Sequence, residues 1–211
     1  MRRRSLLSST GDLPSGYKRV EYLQSQPSGA KQYIDTGYVY DIDSYIEAQV
    51  RFHITDSGSA VFGVRGHKYT MIAIVSGGLW YKRSLNSTSA ESSSIVVGDL
   101  YNLKQGEKKL VVDNLDEGSI RAVVTDDNFE TEKMNLFLFA SQSKLNSIDS
   151  EPREYSKGLK VYSFSITKNG EKVVDLVPCL DNKKVPCFYD RARKLTLYNA
   201  GTGSFIAGGE I

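Results

Sequence analysis

Apolar and polar residues alternate with a period of two along much of the chain. In the segment 45–54, every even-numbered residue from Ile46 to Ile54 is apolar, and the odd-numbered residues are Tyr, Glu, Gln, Arg and His. A strand that covers a core on one side and meets water on the other has this pattern, whereas a helix would distribute the same residues around its axis. The segment is therefore predicted to be a half-buried strand.

Further strand-like segments are separated by turn-forming residues. The segment 135–140 is apolar on both faces, which predicts a central strand. An Asn-Gly pair at 169–170 tolerates the positive φ of a tight hairpin. Ten or more short strands with no amphipathic helical pattern between them favour an antiparallel sandwich over a parallel α/β sheet. The remaining expectations are strand pairs 60–64 with 69–75, 108–113 with 119–124, 162–167 with 172–177 and 188–189 with 195–198, a strand at 79–82, and an exposed Ser-rich loop at 86–94.

Composition and charge restrict the classes of partner. The chain has 211 residues, 40% hydrophobic and 25% charged, so it can bury a large core without a disulfide or a metal. Lysine and arginine number 27 against 25 acidic residues, which gives a formal net charge of +2. A protein that binds nucleic acid by neutralising phosphates normally carries a larger basic excess, so no nucleic-acid partner is expected. No run of about 18 apolar residues occurs, so no membrane span is expected either.

The basic N-terminus is short of apolar residues. Three arginines at 2–4 are followed by only two leucines at 6–7. The apolar part of a signal peptide needs about 7–15 residues, so no signal peptide is predicted. Residues 1–11 are interpreted as a flexible basic arm and residues 12–211 as one folded domain.

The two cysteines, Cys179 and Cys187, lie in a stretch where two strand ends joined by a short turn would bring them together. Either a disulfide or a pair of buried thiols fits this placement. The lack of an export signal favours thiols.

Motifs at both ends of the chain resemble a known group of proteins. The first runs LPSGYKRVEYL over residues 13–23, followed by QYIDTGY over 32–38; the later ones are VYSF at 161–164, DLVPC at 175–179, YD at 189–190 and YNAGTGSF at 198–205. The chain thereby resembles phage and prophage tail-associated proteins of gut bacteria over about residues 13–208. The resemblance implies an all-β fold, a concanavalin A-like (laminin-G-like) jelly-roll antiparallel β-sandwich. In a jelly roll the first and last strands are neighbours, and Gly37, Gly201 and Gly203 would supply turns where a side chain would clash.

Glycosidases exist on this fold, so carboxylates were the first catalytic candidates. A retaining glycosidase needs two carboxyl groups about 5–5.5 Å apart. Period two places Asp41, Asp43 and Glu47 on one face, but the last gap is one pleat longer than in the glucanase motifs of the superfamily. His53 and His67 have no neighbouring Ser or Cys motif that would make a nucleophile and base pair. No catalytic residue is predicted, and the chain is not expected to be an enzyme.

Calcium is the one candidate cofactor, because laminin-G-like domains often bind it with loop oxygens. The dense oxygen clusters are Asp126-Asp127-Asn128 and the stretch Asp113 to Glu117. Both lie where turns need Asp and Asn in any case, so no metal ligand is assigned.

An exposed aromatic ring can stack on the apolar face of a sugar. Trp80, the only tryptophan, is followed by Tyr81, and the alternation turns one of them outward. Arg83 shares the face of Tyr81 and can donate hydrogen bonds to hydroxyls or a carboxylate. These three residues are predicted to bind ligand; the alternative is that Trp80 belongs to the core and Tyr81 to ordinary surface.

These observations predict a non-catalytic carbohydrate-recognition or adhesion domain on a phage or prophage tail-like particle or a related cell-surface assembly. The expected location is the virion or the extracellular surface. The expected partner is a glycan or host surface polysaccharide, with further copies of the chain or virion proteins as candidates. Two alternatives remain open: a glycoside hydrolase or lyase on the same fold, and a structural virion protein without a glycan ligand.

Overall fold

The computed structural model describes residues 13–211 except 29, 42, 54–57, 66–68, 76–77, 83–89, 107–108, 126–132 and 144–150. The predicted arm at 1–11 and Arg83 therefore lie outside the described residues. Within the described part, no helix has the length and apolarity that crossing a bilayer requires. The regular elements are the strands β1 (Lys18–Arg19), β2 (Leu23–Gln24), β3 (Ile34–Val39), β4 (Ser44–Arg51), β5 (Ser59–Arg65), β6 (Tyr69–Val75), β7 (Gly78–Lys82), β8 (Ala90–Ser94), β9 (Leu100–Gly106), β10 (Lys109–Asn114), β11 (Ser119–Thr125), β12 (Asn135–Leu138), β13 (Ser141–Ser143), β14 (Glu151–Arg153), β15 (Lys160–Lys168), β16 (Glu171–Leu180), β17 (Pro186–Asp190), β18 (Leu195–Leu197) and β19 (Ile206–Ala207).

The strands form two sheets. The first has the order β11-β10-β9-β4-β15-β16-β17-β18, with β1 beside β16, β2 beside β15, and β19 beside β2. The second has the order β14-β13-β5-β6-β7-β8, and β12 joins it between β5 and β3. The pairings are antiparallel apart from the short pair of β13 with β5. This arrangement confirms the predicted fold class, an all-β concanavalin A-like jelly-roll sandwich.

The core lies between the two sheets. Ile46, Ala48 and Val50 of β4 are fully buried, as the alternation predicts. Phe62 of the second sheet meets Phe164 of the first edge to face, with ring centroids 5.7 Å apart. Aromatic pairs in this geometry stabilise beyond their buried area, so this contact fixes the two inner faces against each other.

The two ends of the chain meet in the first sheet, which confirms the prediction for a jelly roll. Leu23 pairs with Ala207, and the amide of Glu21 donates to the carbonyl of Gly209 at 2.9 Å. The glycines of the C-terminal motif have two different roles. Gly203 has a φ of +75°, whereas a Cβ at Gly201 would lie 1.6 Å from the carbonyl oxygen of Lys31. Position 201 therefore needs glycine because another backbone passes directly against it.

The predicted strand pairs form, including the hairpin at Asn169-Gly170, where φ is +51° and +82°. The strand β12 is central, between β3 and β5, as its two apolar faces predict. The prediction of a Ser-rich loop at 86–94 is wrong for its second half, because β8 pairs there with β7. Serine is a poor indicator of strand structure, and here the backbone pairing decides the conformation.

Cys179 and Cys187 lie directly opposite each other on β16 and β17 and are both buried. Their sulfur atoms are 3.4 Å apart, far longer than the covalent distance of about 2.05 Å, so the structure holds them as thiols. A hydrogen bond with Cys179, together with burial, raises the pKa of the Cys187 thiol. Tyr17 of the LPSGY motif packs over this pair against Tyr189, which assigns a structural role to that motif.

Candidate functional site

The predicted sugar-binding residues Trp80 and Tyr81 lie in β7. Trp80 is directly opposite Ala73, and Tyr81 is directly opposite Ile72. Directly opposite residues share a sheet face. Ile72 belongs to the main core cluster, whereas Ala73 belongs to a separate buried cluster with Ala60 and Met71. The register therefore places position 81 on the core face and position 80 on the opposite face of the sheet, which we call the outer face. Ligand binding by Trp80, Tyr81 and Arg83 stays a prediction.

A second group of aromatic residues on the same outer face was not identified from the sequence. We call it the Tyr33 cluster; it consists of Tyr33, Phe137 and Tyr155. The rings of Tyr33 and Phe137 are stacked, with centroids 4.7 Å apart and an interplanar angle of 28°. Tyr155 lies 6.3 Å from Tyr33. Phe137 is only 5% exposed and lies outside the main core cluster. The half-buried ring of Tyr33 stacks on it, and the half-buried ring of Tyr155 contacts Tyr33.

The C-terminal motif positions Tyr33. The side-chain oxygen of Asn199 accepts hydrogen bonds from the backbone amides of Tyr33 and Gly201, at 3.1 and 3.0 Å. The amide nitrogen of Asn199 donates to the carbonyl of Gly203 at 2.9 Å. The amide of Ala200 then donates to the carbonyl of Tyr33. The two terminal motifs, QYIDTGY and YNAGTGSF, thus contact each other, and this contact fixes the backbone of Tyr33 in place.

Polar side chains stand beside the Tyr33 cluster on β3 and β12. Asn135 donates its side-chain amide to Asp35 at 3.2 Å, and the other carboxylate oxygen of Asp35 accepts from the amide of Gly37 at 2.8 Å. Asp35 and Asn135 are half-buried. Because the hydroxyl of Thr36 donates to the carbonyl of Leu136 at 2.7 Å within the sheet, the two strands hold these side chains in register.

The tyrosines of the cluster remain protonated at neutral pH. Burial, and then the neighbouring Asp35 carboxylate, raises the pKa of Tyr33. Burial raises the pKa of Tyr155 as well, with contributions from Tyr33 and Glu151. Each phenol therefore keeps a hydroxyl that can both donate and accept hydrogen bonds.

Two of the three carboxylates considered for catalysis, Asp41 and Glu47, have structural partners, and the third, Asp43, is exposed. Asp41 receives hydrogen bonds from Lys168 and from Ser44. Burial acts against ionisation of Asp41, but these hydrogen bonds outweigh it and hold its pKa below the usual range. Glu47 accepts from the side-chain amide of Asn102 at 2.8 Å. His53 is exposed, and His67 lies outside the described residues.

The oxygen cluster at 113–117 forms the turn itself. Asp113 pairs with Lys104 at 2.7 Å, and Asn114 accepts hydrogen bonds from the amides of Asp116 and Glu117. Over the ranges that the structure describes, no three His, Cys, Asp or Glu side chains come together as metal ligands. The other calcium candidate, 126–128, lies outside those ranges.

The geometry suits recognition of a polar molecule with one apolar face. Half-buried phenol rings offer a flat apolar surface, and Asp35, Asn135 and the two hydroxyls offer hydrogen bonds at its edge. A pyranose ring has the same combination of an apolar face and a rim of hydroxyls, and binding sites generally combine apolar walls with a few placed polar groups.

No protein-family model and no curated protein sequence matches the chain. Solved structures with a similar fold include the mouse laminin alpha1 chain, domains LG4-5, with 11% identity and a TM-score of 0.48, covering 92% of this chain and 47% of that chain. Scytalido-glutamic peptidase, solved with a peptide-based transition state analog, has 13% identity and a TM-score of 0.44 over 91% and 98% of the two chains. A heptameric SAP-like pentraxin from Limulus polyphemus has 12% identity and a TM-score of 0.39 over 75% and 71%. The chain thus spans about half the length of the laminin structure, and identities this low assign no residue a role.

Proposed function

We propose that this protein is a non-catalytic carbohydrate-recognition domain, and that its outer face on the second sheet binds the ligand. The Tyr33 cluster is the observation that carries the proposal. Its rings stack on the apolar face of a sugar unit, and Asp35 and Asn135 bind the hydroxyls of that unit. The register places position 80 on the same outer face, at the third interstrand spacing from β12, or roughly 14 Å away. A second contact of a longer glycan at this position is part of the proposal.

The carrier of this domain is a phage or prophage tail-like particle or a related surface assembly, where it meets a host polysaccharide from outside the cell. This part of the proposal is supported by the resemblance of the terminal motifs to those of tail-associated proteins. Further copies of the chain or other virion proteins are the expected assembly partners.

A glycan array on the purified protein tests the proposal, followed by titration of the best ligand. The single tryptophan gives a fluorescence readout of binding near β7. The variant Tyr155→Ala removes one ring of the cluster, and Tyr45→Ala is its matched control, because Tyr45 is 39% exposed and lies in β4 of the first sheet. Tyr155→Ala is expected to weaken binding of a neutral glycan about tenfold, as removal of a stacking aromatic contact of about 1–1.5 kcal/mol would. Tyr45→Ala is expected to leave the affinity unchanged.

Three outcomes would contradict the proposal. Cleavage of an array ligand by the wild-type protein would make it a glycoside hydrolase or lyase. A stable oligomer that binds no glycan would make it a structural virion protein. Equal glycan affinity of Tyr155→Ala and the wild type would place binding elsewhere on the molecule.

A further inference from the structure

We propose that the outer face of the first sheet carries a second, separate site, which binds a sugar unit bearing a carboxylate. The site is formed by Tyr22, Tyr162, Lys160 and Arg51, which we call the Tyr22 cluster. All four belong to the first sheet or its edge, whereas the Tyr33 cluster belongs to the second. The two proposals therefore stand on different residues.

The aromatic part of the Tyr22 cluster is a tilted ring pair. The centroids of Tyr22 and Tyr162 are 5.4 Å apart, and both residues are half-buried. Tyr162 sits at a break in the register between β15 and β4, where Val161 pairs with Val50 and Ser163 with Gln49. Such a bulge turns one side chain out of the regular alternation, and bulges are common next to functional sites.

Glycine fixes the other ring. A Cβ at Gly208 would lie 2.9 Å from the ring carbon Cδ1 of Tyr22, so only glycine lets the tyrosine ring lie against the C-terminal segment. The side chain of Tyr22 is thus held in place before any ligand arrives. A side chain that is ordered before the ligand binds avoids the entropic cost of becoming ordered on binding.

Two cations face each other across the strands at this place. Lys160 of β15 is directly opposite Arg51 of β4, and like charges directly opposite on antiparallel strands are destabilising. The ammonium of Lys160 lies 4.3 Å from the centroid of the Tyr22 ring and has no carboxylate within ion-pair distance among the residues described. A cation over a tyrosine ring is attracted to it, but this attraction leaves the charge free to bind an anion.

Arg51 is only weakly neutralised. Its guanidinium lies 3.5 Å from Asp116, and both side chains are about a third or more exposed, so the ion pair contributes little. The guanidinium also donates to the carbonyl of Gly98, while its Nε is buried without a hydrogen-bond partner. Glu21 is exposed, and its charge acts on Tyr162, so it is a second carboxylate besides Asp116 that would oppose an acidic ligand.

These features fit a uronate better than a nucleic acid. A carboxylate can bridge Lys160 and Arg51 through charge-assisted hydrogen bonds while the sugar ring contacts Tyr22 and Tyr162. A single-stranded nucleic acid also stacks on tyrosines, but it requires a positively charged groove along its backbone. Here two carboxylates, Asp116 and Glu21, accompany the two cations, and the whole chain has a net charge of only +2.

Calorimetric titration of the full chain with tetramers of galacturonate, glucuronate and mannuronate tests this site. The comparison ligands are the carboxyl-reduced neutral tetramers and an oligothymidylate. We expect at least one uronate tetramer to bind, with Lys160→Gln weakening it about tenfold, the loss typical of one charge-assisted contact. Lys183→Gln, a change at an exposed turn lysine, is the matched control and should leave affinity unchanged. Glu21→Gln should tighten binding because it removes a like charge.

Four results would overturn the inference: no uronate tetramer binds, Lys160→Gln binds as tightly as the wild type, the reduced tetramers bind equally well, or oligothymidylate binds more tightly than the uronates. Tyr155→Ala should not change uronate affinity. Failure of this site would leave neutral-glycan binding at the Tyr33 cluster intact, so the two proposals can fail separately.

Discussion

The two outer faces of the sandwich carry aromatic clusters built on opposite principles. In the Tyr33 cluster Tyr33 stacks on a buried phenylalanine, and the charged neighbour that acts on its pKa is a carboxylate, Asp35. In the Tyr22 cluster two tyrosines contact each other, and the nearest charged groups are Lys160 and Arg51. Similar rings are thus combined with opposite charges.

The difference shows which part of a site sets affinity and which part sets specificity. Stacking on a tyrosine ring favours almost any ligand with an apolar face. The charges beside the ring decide between ligands, because an unpaired like charge at a contact costs free energy. If both proposals hold, one domain selects a neutral sugar on one face and an acidic sugar on the other.

Phe137→Ala should have the largest effect of the changes that distinguish the two clusters. Phe137 is 5% exposed beneath Tyr33, and truncation of a buried phenylalanine costs about 3 kcal/mol or more. Tyr162→Ala in the other cluster removes a half-buried ring at a bulge and should cost about 1 kcal/mol. Denaturant unfolding of both variants measures the contrast. Equal losses would show that the two clusters do not differ in their dependence on a buried base.

The sequence predicted the sheets much better than the sites. Alternation predicted β4 because successive side chains of that strand lie on opposite faces, one buried and one facing water. This pattern can be recognised from neighbouring residues alone. That the chain ends meet, as Leu23 and Ala207 do, was predicted only through the jelly-roll resemblance, since no local pattern specifies a contact between chain ends.

The Tyr33 cluster could not be predicted, because its three rings come from the residue before β3, from β12 and from the segment after β14. The alternation within QYIDTGY places Tyr33 and Asp35 on one face, which was the available signal. It does not show that Phe137 lies beneath that face, because the register of β12 against β3 depends on the whole sheet. The same reasoning explains why Trp80 and Tyr81 could be assigned to opposite faces but not to inner and outer ones.

Asn199→Ala should weaken ligand binding at the Tyr33 cluster and leave binding at the Tyr22 cluster unchanged, in addition to lowering stability. The side chain of Asn199 links the backbone of Tyr33 to the turn at Gly201 and Gly203, and its loss should cost about 1–2 kcal/mol. We expect weaker binding of the neutral glycan and unchanged uronate affinity. Asn182→Ala, at an exposed turn residue, is the control for a generic loss of an asparagine. A parallel loss of both ligands would mean that Asn199 supports the sandwich as a whole.

The smallest expected difference between the two clusters is in the pKa values of their tyrosines. Burial raises the pKa of both Tyr33 and Tyr162, but the charged neighbours act in opposite directions: Asp35 raises the pKa of Tyr33, and Arg51 lowers that of Tyr162. Asp35→Asn should therefore lower the pKa of Tyr33, and Arg51→Gln should raise that of Tyr162. NMR titration of ring-labelled tyrosines measures both shifts, with Asp43→Asn as a control that should move neither.

The same pKa values determine how stability depends on pH. A tyrosine whose pKa is raised in the folded protein binds its proton more tightly than in the unfolded chain, where the pKa is about 10. Its contribution to stability is complete below that pH and is lost as the pH rises through the folded-state pKa. Asp35→Asn should reduce the fall in stability above about pH 10, and Arg51→Gln should increase it. If both variants moved the alkaline transition in the same direction, the charges beside the two ring systems would not be opposed, and the basis for assigning them different ligands would be lost.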